Sequence, residues 1–187
     1  MLPHLSVAPL VAFVLAAAPP APADVRAEVA ALLGVIDRPA SPESFRRFGP
    51  DGEAALAEIA LSKDFAPRRA RALEMLAALR SPRAEEVHRA VAESADAPRT
   101  ARRTAVLGLG RLVPPARAAA ALRPFLERDR DPRVRAAAAE ALAGAGPEGA
   151  CGAVRAQAAK EDAEGLARFR RALAACDRPP ARGSPAR

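Results

Sequence analysis

Apolar residues recur along this chain at spacings of three and four, the period of one face of an α-helix, in segments punctuated by proline, glycine and aspartate. The pattern is complete over residues 129–146, DRDPRVRAAAAEALAGAG. Val134, Ala138, Ala141 and Leu142 fall on one stripe. Asp131 is placed to cap the start, since its carboxylate can accept from first-turn N–H groups, and Pro132 follows where a missing N–H costs nothing. Gly144 and Gly146 stand where a left-handed residue ends a helix. The stripe is narrow and built mostly of methyl groups, so this helix can approach a neighbour closely but buries too little surface to persist alone.

The same reading divides the whole chain. Residues 24–35 form a helix with Val25, Val29, Leu32 and Leu33 as its stripe. A connector follows to residue 50, with a short helix capped by Ser41 and opened by Pro42; Phe45 and Phe48 either plug the end of the fold or expose an aromatic pair. Four helical hairpins come next: 52–61 with 67–79, 82–94 with 98–112, 115–127 with 132–143, and 149–160 with 163–176. Ser81-Pro82 repeats the cap-and-proline start of Asp131-Pro132, and Pro124 should kink its helix. Residues 177–187, DRPPARGSPAR, have no apolar pattern and read as a disordered tail.

The segments are copies. Steps of 33 residues connect Arg69, Arg102, Arg135 and Arg168. Asp96, Asp129 and Asp162 stand six residues before the last three, with Lys63 in that place in the first copy. Leu76, Leu109 and Leu142 stand seven residues after the first three, and the fourth copy has Ala175. A fixed period in the thirties marks a stacked-repeat protein. An aspartate followed six residues later by arginine, at the start of an alanine-rich second helix, resembles the HEAT repeat in its short bacterial form, over roughly residues 51–176. The resemblance implies an all-α solenoid of antiparallel hairpins with 24–50 as its N-terminal cap. It also implies an Asp–Arg ladder between adjacent repeats, with Asp96, Arg102, Asp129, Arg135, Asp162 and Arg168 as its members. The T-P-L-H signature of ankyrin is missing, and the aromatic anchors of tetratricopeptide repeats have no source in a chain without Trp or Tyr.

Composition refines this picture. Half the residues are hydrophobic, but alanine dominates them, so the core is thin and extended. The formal charge of +7 is carried by arginine, with Lys63 and Lys160 the only lysines. That excess is either a solvated basic surface or a face for nucleic acid. Residues 1–23 read as a signal peptide: an apolar run, then Ala21-Pro22-Ala23 as the small-x-small site with cleavage after Ala23. The alternative is an apolar leader on a cytoplasmic protein. Pro19, Pro20 and Pro22 end the run before the about 20 apolar residues a membrane span needs, so no stable span is expected after cleavage. The implied location is periplasmic or extracellular.

Cys151 and Cys176 lie near the start of one helix and the end of its antiparallel partner, where they can meet as a structural disulfide in an oxidising compartment; otherwise they are two buried thiols. No catalytic, metal or cofactor-binding site is expected. His88 has no nucleophile and orienting carboxylate at a recognisable spacing. Gly108-Leu109-Gly110 lacks the third glycine and the strand of a dinucleotide loop, and reads as a close helix contact. In HEAT-like solenoids the second helices line the concave face. Here they would present Arg71, Glu74, Thr104, Leu107, Glu140 and Arg170, a lining of mixed sign. A phosphate-tracking groove should be uniformly basic, and a single-strand reader should offer stacking aromatics. The expected function is therefore a non-catalytic, exported scaffold or adaptor that binds another protein or peptide, with nucleic-acid binding through an arginine-rich face as the alternative.

Overall fold

A computed structural model describes residues 21–35, 40–63, 66–146 and 149–178 of the chain. Residues 1–20 of the expected 1–23 signal peptide and most of the expected 177–187 tail lie outside these residues. The described residues form ten helices and no strand: α1 (Ala23–Gly34), α2 (Pro42–Arg46), α3 (Gly49–Leu61), α4 (Ala66–Leu79), α5 (Ala84–Glu93), α6 (Arg99–Leu112), α7 (Pro115–Arg128), α8 (Pro132–Ala145), α9 (Ala150–Ala158) and α10 (Ala163–Cys176).

From α3 onward the helices pair into four hairpins, and the second helices stack on one another, α4 on α6, α6 on α8 and α8 on α10. The first helices cover the other side of that row. This arrangement is an α-solenoid. Its core is a line of fully buried aliphatic residues, Leu56, Ile59, Leu73, Leu76, Leu109, Leu122, Leu126 and Leu142, filled in by alanine. Helix α8 alone buries five alanines with Val134 and Leu142, because both of its long sides meet a neighbouring second helix. Helices α1 and α2 pack on α3 and α4 and close the first end. Phe45 is buried there, while Phe48 is half-buried under the guanidinium of Arg47, 4.6 Å from its ring centroid.

Helix ends follow local chemistry. The Asp131 carboxylate accepts from Arg133 N at 2.8 Å, and Gly146 is left-handed beyond the other end of α8. Asp162 caps α10 by accepting from Gly165 N at 2.7 Å. No helix starts at Pro82, although Ser81 accepts through Oγ from Arg83 N at 3.3 Å as a cap would. Its hydroxyl donates to Glu53 of α3 at 2.6 Å, a tight turn bonds Ala84 N to Ser81 O, and α5 begins only at Ala84. Helix α7 runs through Pro124, whose ring lies on the exposed side.

The repeat register changes at the end of the array. Helix α8 starts 33 residues after α6, but α10 starts 31 after α8. The cause is α9, which has 9 residues where α7 has 14. Longer loops on either side restore part of the difference. With the shorter step, Val134, Ala138 and Ala141 of α8 correspond to Gly165, Phe169 and Ala172 of α10, all buried. Leu142 corresponds to Leu173, which supplies the leucine missing at Ala175. The place of Arg135 is taken not by Arg168 but by Leu166, which is 44% exposed.

Candidate functional site

The repeated arginines have two duties, of which the sequence revealed one. Arg69, Arg102 and Arg135 each bind the carboxyl end of the first helix of their own hairpin. Arg69 Nε donates to Ala60 O and Arg102 Nε to Ala92 O, each at 3.0 Å, and Arg135 Nη1 donates to Asp129 O at 2.9 Å. Carbonyls left unpaired by the helix are thereby satisfied by a cation, which also favours that end of the helix dipole. Arg102 and Arg135 also reach forward to the next hairpin. Arg102 grips the Asp129 carboxylate with both terminal nitrogens, and Arg135 forms a bidentate pair with Glu161. The two carboxylates are only 5% and 3% exposed. The Arg135 hydrogen bonds hold Glu161 below the usual carboxylate range despite its burial, and Glu161 in turn raises Arg135.

The remaining expected ladder positions take other roles. Glu161 occupies the acidic place assigned to Asp162, because the shortened α9 shifts the loop by a residue and leaves Asp162 as the cap of α10. Arg168 pairs with Glu164 along its own helix. Asp96 is exposed in the loop before α6 and forms no ion pair with Arg69 among the described residues. Cys151 and Cys176 lie with their Sγ atoms 2.16 Å apart and their Cα atoms 5.4 Å apart, linking α9 to the end of α10.

Behind the ladder, the two glycines of the Gly108-Leu109-Gly110 run meet different helices. A side chain at Gly108 would lie 2.3 Å from Nε2 of His88 on α5, and one at Gly110 would lie 2.6 Å from Cβ of Ala141 on α8. His88 is fully buried, with Nδ1 donating to Ala84 O at 2.7 Å. Its Nε2 is buried and has no hydrogen-bond partner among the described residues. Burial, followed by the positive charge of Arg111, pushes its pKa down to about 4 against the Ala84 hydrogen bond. This histidine is a neutral core group.

The open face of the second helices carries the larger depressions of the surface. A groove of about 850 Å³ runs over Leu107, Gly110, Glu140, Ala141 and Arg171. A second, of about 500 Å³, adjoins it over Arg103, Arg133, Ala137, Glu140 and Arg170, sharing Glu140 and Arg171 with the first. A third, of about 530 Å³, lies between Glu74, Glu85 and Arg111. Leu107, Glu140 and Arg170 line this surface as the sequence implied, and Glu74 borders it. Thr104 is half-buried and lines none of these grooves. Arg71 is turned to another use: Nη1 donates to Leu33 O and Val35 O, both at 2.8 Å, tying α4 to the end of α1.

The lining differs in charge from the mixture read along the sequence. Across α6, α8 and α10 it is dominated by Arg103, Arg111, Arg133, Arg170 and Arg171, with Glu140 between them. None of the five arginines forms an ion pair among the described residues, whereas those of the ladder are paired. The sequence spacing missed this because α10 is out of phase, which brings Arg171 to the groove although the matching 33-residue positions, Ala105 and Ala138, are buried. Among the described residues no cluster of His, Cys, Asp or Glu could hold a metal ion, and no helix is long and apolar enough to cross a membrane. A family model for HEAT repeats matches residues 53–143 and again, overlapping, 89–174. No curated protein and no solved structure matches the chain.

Proposed function

Because this chain belongs to the HEAT-repeat family, we propose that it is a scaffold or adaptor that works by binding another protein on the open face of α6, α8 and α10. The observation that carries this reading is the pair of adjoining grooves across three successive second helices, with small residues as floor and unpaired side chains as walls. Such a surface offers shape and charge to a partner segment without requiring the repeats to rearrange. In this reading the role is binding, and His88, the one histidine among the described residues, is sealed in the core.

The protein is exported in this reading, to the periplasm or the medium. The Cys151–Cys176 pair supports an oxidising compartment. Export is tested by the mass of the mature protein, which should begin at Asp24 and be two hydrogen atoms lighter than the reduced form. A chain that retains Met1 and two free thiols would refute it.

Docking is tested by filling the groove. Ala167 and Ala174 are exposed and line it, so Ala167→Trp with Ala174→Trp should leave the fold intact and occlude the face. Partners recovered from the cell envelope by the wild type should be lost with this variant. An unchanged set of partners would place docking elsewhere.

A further inference from the structure

Charge and shape along the groove allow the partner's chemistry to be specified. We propose that the groove across α6, α8 and α10 binds an acidic segment of its partner protein, a proposal that rests on the docking role above.

Five exposed arginines line the two adjoining grooves from three helices: Arg111 the first, Arg103, Arg133 and Arg170 the second, and Arg171 both. Other arginines pair with acids, Arg99 with Asp131, Arg102 with Asp129, Arg117 with Glu85, Arg135 with Glu161 and Arg155 with Asp177. Arg80, Arg83, Arg123, Arg128 and Arg130 form no ion pair among the described residues either, but they line neither groove, so what sets the groove arginines apart is that they stand together. A cluster of unpaired guanidinium groups on a concave surface attracts anions over about a Debye length and offers forked donors to carboxylates on contact.

Three features select an acidic peptide over nucleic acid. Glu140 lies where the two grooves meet and would face any polyanion laid along them. A peptide can satisfy that carboxylate with a backbone N–H at every residue, whereas the sugar-phosphate backbone of DNA has no donor. The floor of the first groove is apolar, with Leu107, Ala141, Ala174 and Ala175, and suits aliphatic side chains set among the acids. Finally, no aromatic ring is exposed among the described residues: Phe45, Phe125 and Phe169 are buried and Phe48 is half-buried, so there is no platform on which bases could stack.

The experiment uses the purified mature protein and fluorescence anisotropy with labelled peptides of one length. One alternates Glu with Leu, one replaces Glu by Gln, and one replaces Glu by Lys; single- and double-stranded oligonucleotides complete the set. The acidic peptide should bind at least about tenfold more tightly than the Gln peptide, with affinity falling as salt rises. Arg133→Glu with Arg171→Glu, both exposed and outside the core, should weaken the acidic peptide at least tenfold and leave the thermal melt unchanged. Glu140→Gln should leave the acidic peptide bound and raise oligonucleotide affinity. Equal binding of the acidic and Gln peptides, or no effect of the double charge reversal, would overturn the proposal. If the Gln or Lys peptide binds best and is displaced by Ala167→Trp with Ala174→Trp, the scaffold role stands and its acidic specificity falls. If oligonucleotides bind tenfold more tightly than every peptide, both fall.

Discussion

His88 gives the fold a pH dependence whose size follows from its surroundings. In the unfolded chain it titrates near 6.5, and in the folded chain near 4, because the ring is fully buried against Gly108 and Nε2 faces no acceptor. A depressed folded pKa means that the stability is complete above pH 6.5 and is lost as pH falls towards 4, since in that interval only the unfolded chain takes up the proton. At about 1.4 kcal/mol per pH unit the full loss is about 3 kcal/mol, with about 2 kcal/mol gone by about pH 5. That is a large share of the roughly 5–15 kcal/mol by which a domain is stable. The assay is urea unfolding followed by helical circular dichroism between about pH 7 and about pH 4.5, comparing the wild type with His88→Leu, which keeps an apolar group of similar size and removes the titration. The stability of the wild type minus that of the variant should fall by about 2 kcal/mol between pH 7 and pH 5. Glu161, held below its ordinary value of 4.5, contributes its own loss only at lower pH and does so in both proteins. A difference that stays constant from pH 7 to pH 5 would refute the argument and imply that water or a moving side chain reaches Nε2.

The neighbouring glycine gives a second expectation: Gly108→Ala should destabilise by about 1–3 kcal/mol through collision with the ring, and His88→Ala in the same chain should recover part of that loss. Glu161→Gln, which leaves Arg135 facing a neutral group, should lower the urea-unfolding stability by about 2 kcal/mol, with hydrogen exchange rising first in α9 and α10. Leu142→Ala, at a fully buried position between stacked helices, should cost about 2–5 kcal/mol in the same measurement. Reduction of Cys151–Cys176, which closes a loop of 25 residues, should cost about 3 kcal/mol, and an unchanged melting temperature in reductant would contradict that value.

How much of this was written in the sequence depended on whether a residue acts through its own turn or through its neighbours. The Asp131 cap, Pro132 start and Gly146 stop are local and were readable from residue type. So was the helical hairpin repeat, because the recurrence of Arg102 and Arg135 reflects the same place in successive hairpins. The partner of Arg135 was not readable: choosing Glu161 over Asp162 requires knowing how many residues α9 winds into helix. Arg71 and Glu74 looked alike on a helical projection. Only the position of α1 decides that the first is spent on the Leu33 and Val35 carbonyls while the second borders a groove. The basic lining was partly hidden for the same reason, since α10 starts 31 rather than 33 residues after α8 and so turns Arg171 to the groove.

The approach of α6 to α8 at Gly110 and Ala141, where a methyl group would stand 3.1 Å from the opposing Cα, fixes more than a contact. The bulk of these two residues sets how closely the helices approach there, and so the curve of the stack. Gly110→Ala would act as a shim at the pivot, straightening the arc and spreading the arginines that hang on either side of it. The width of the opening offered to a partner is therefore decided at its own floor, by the hydrogen atom that Gly110 carries in place of a side chain.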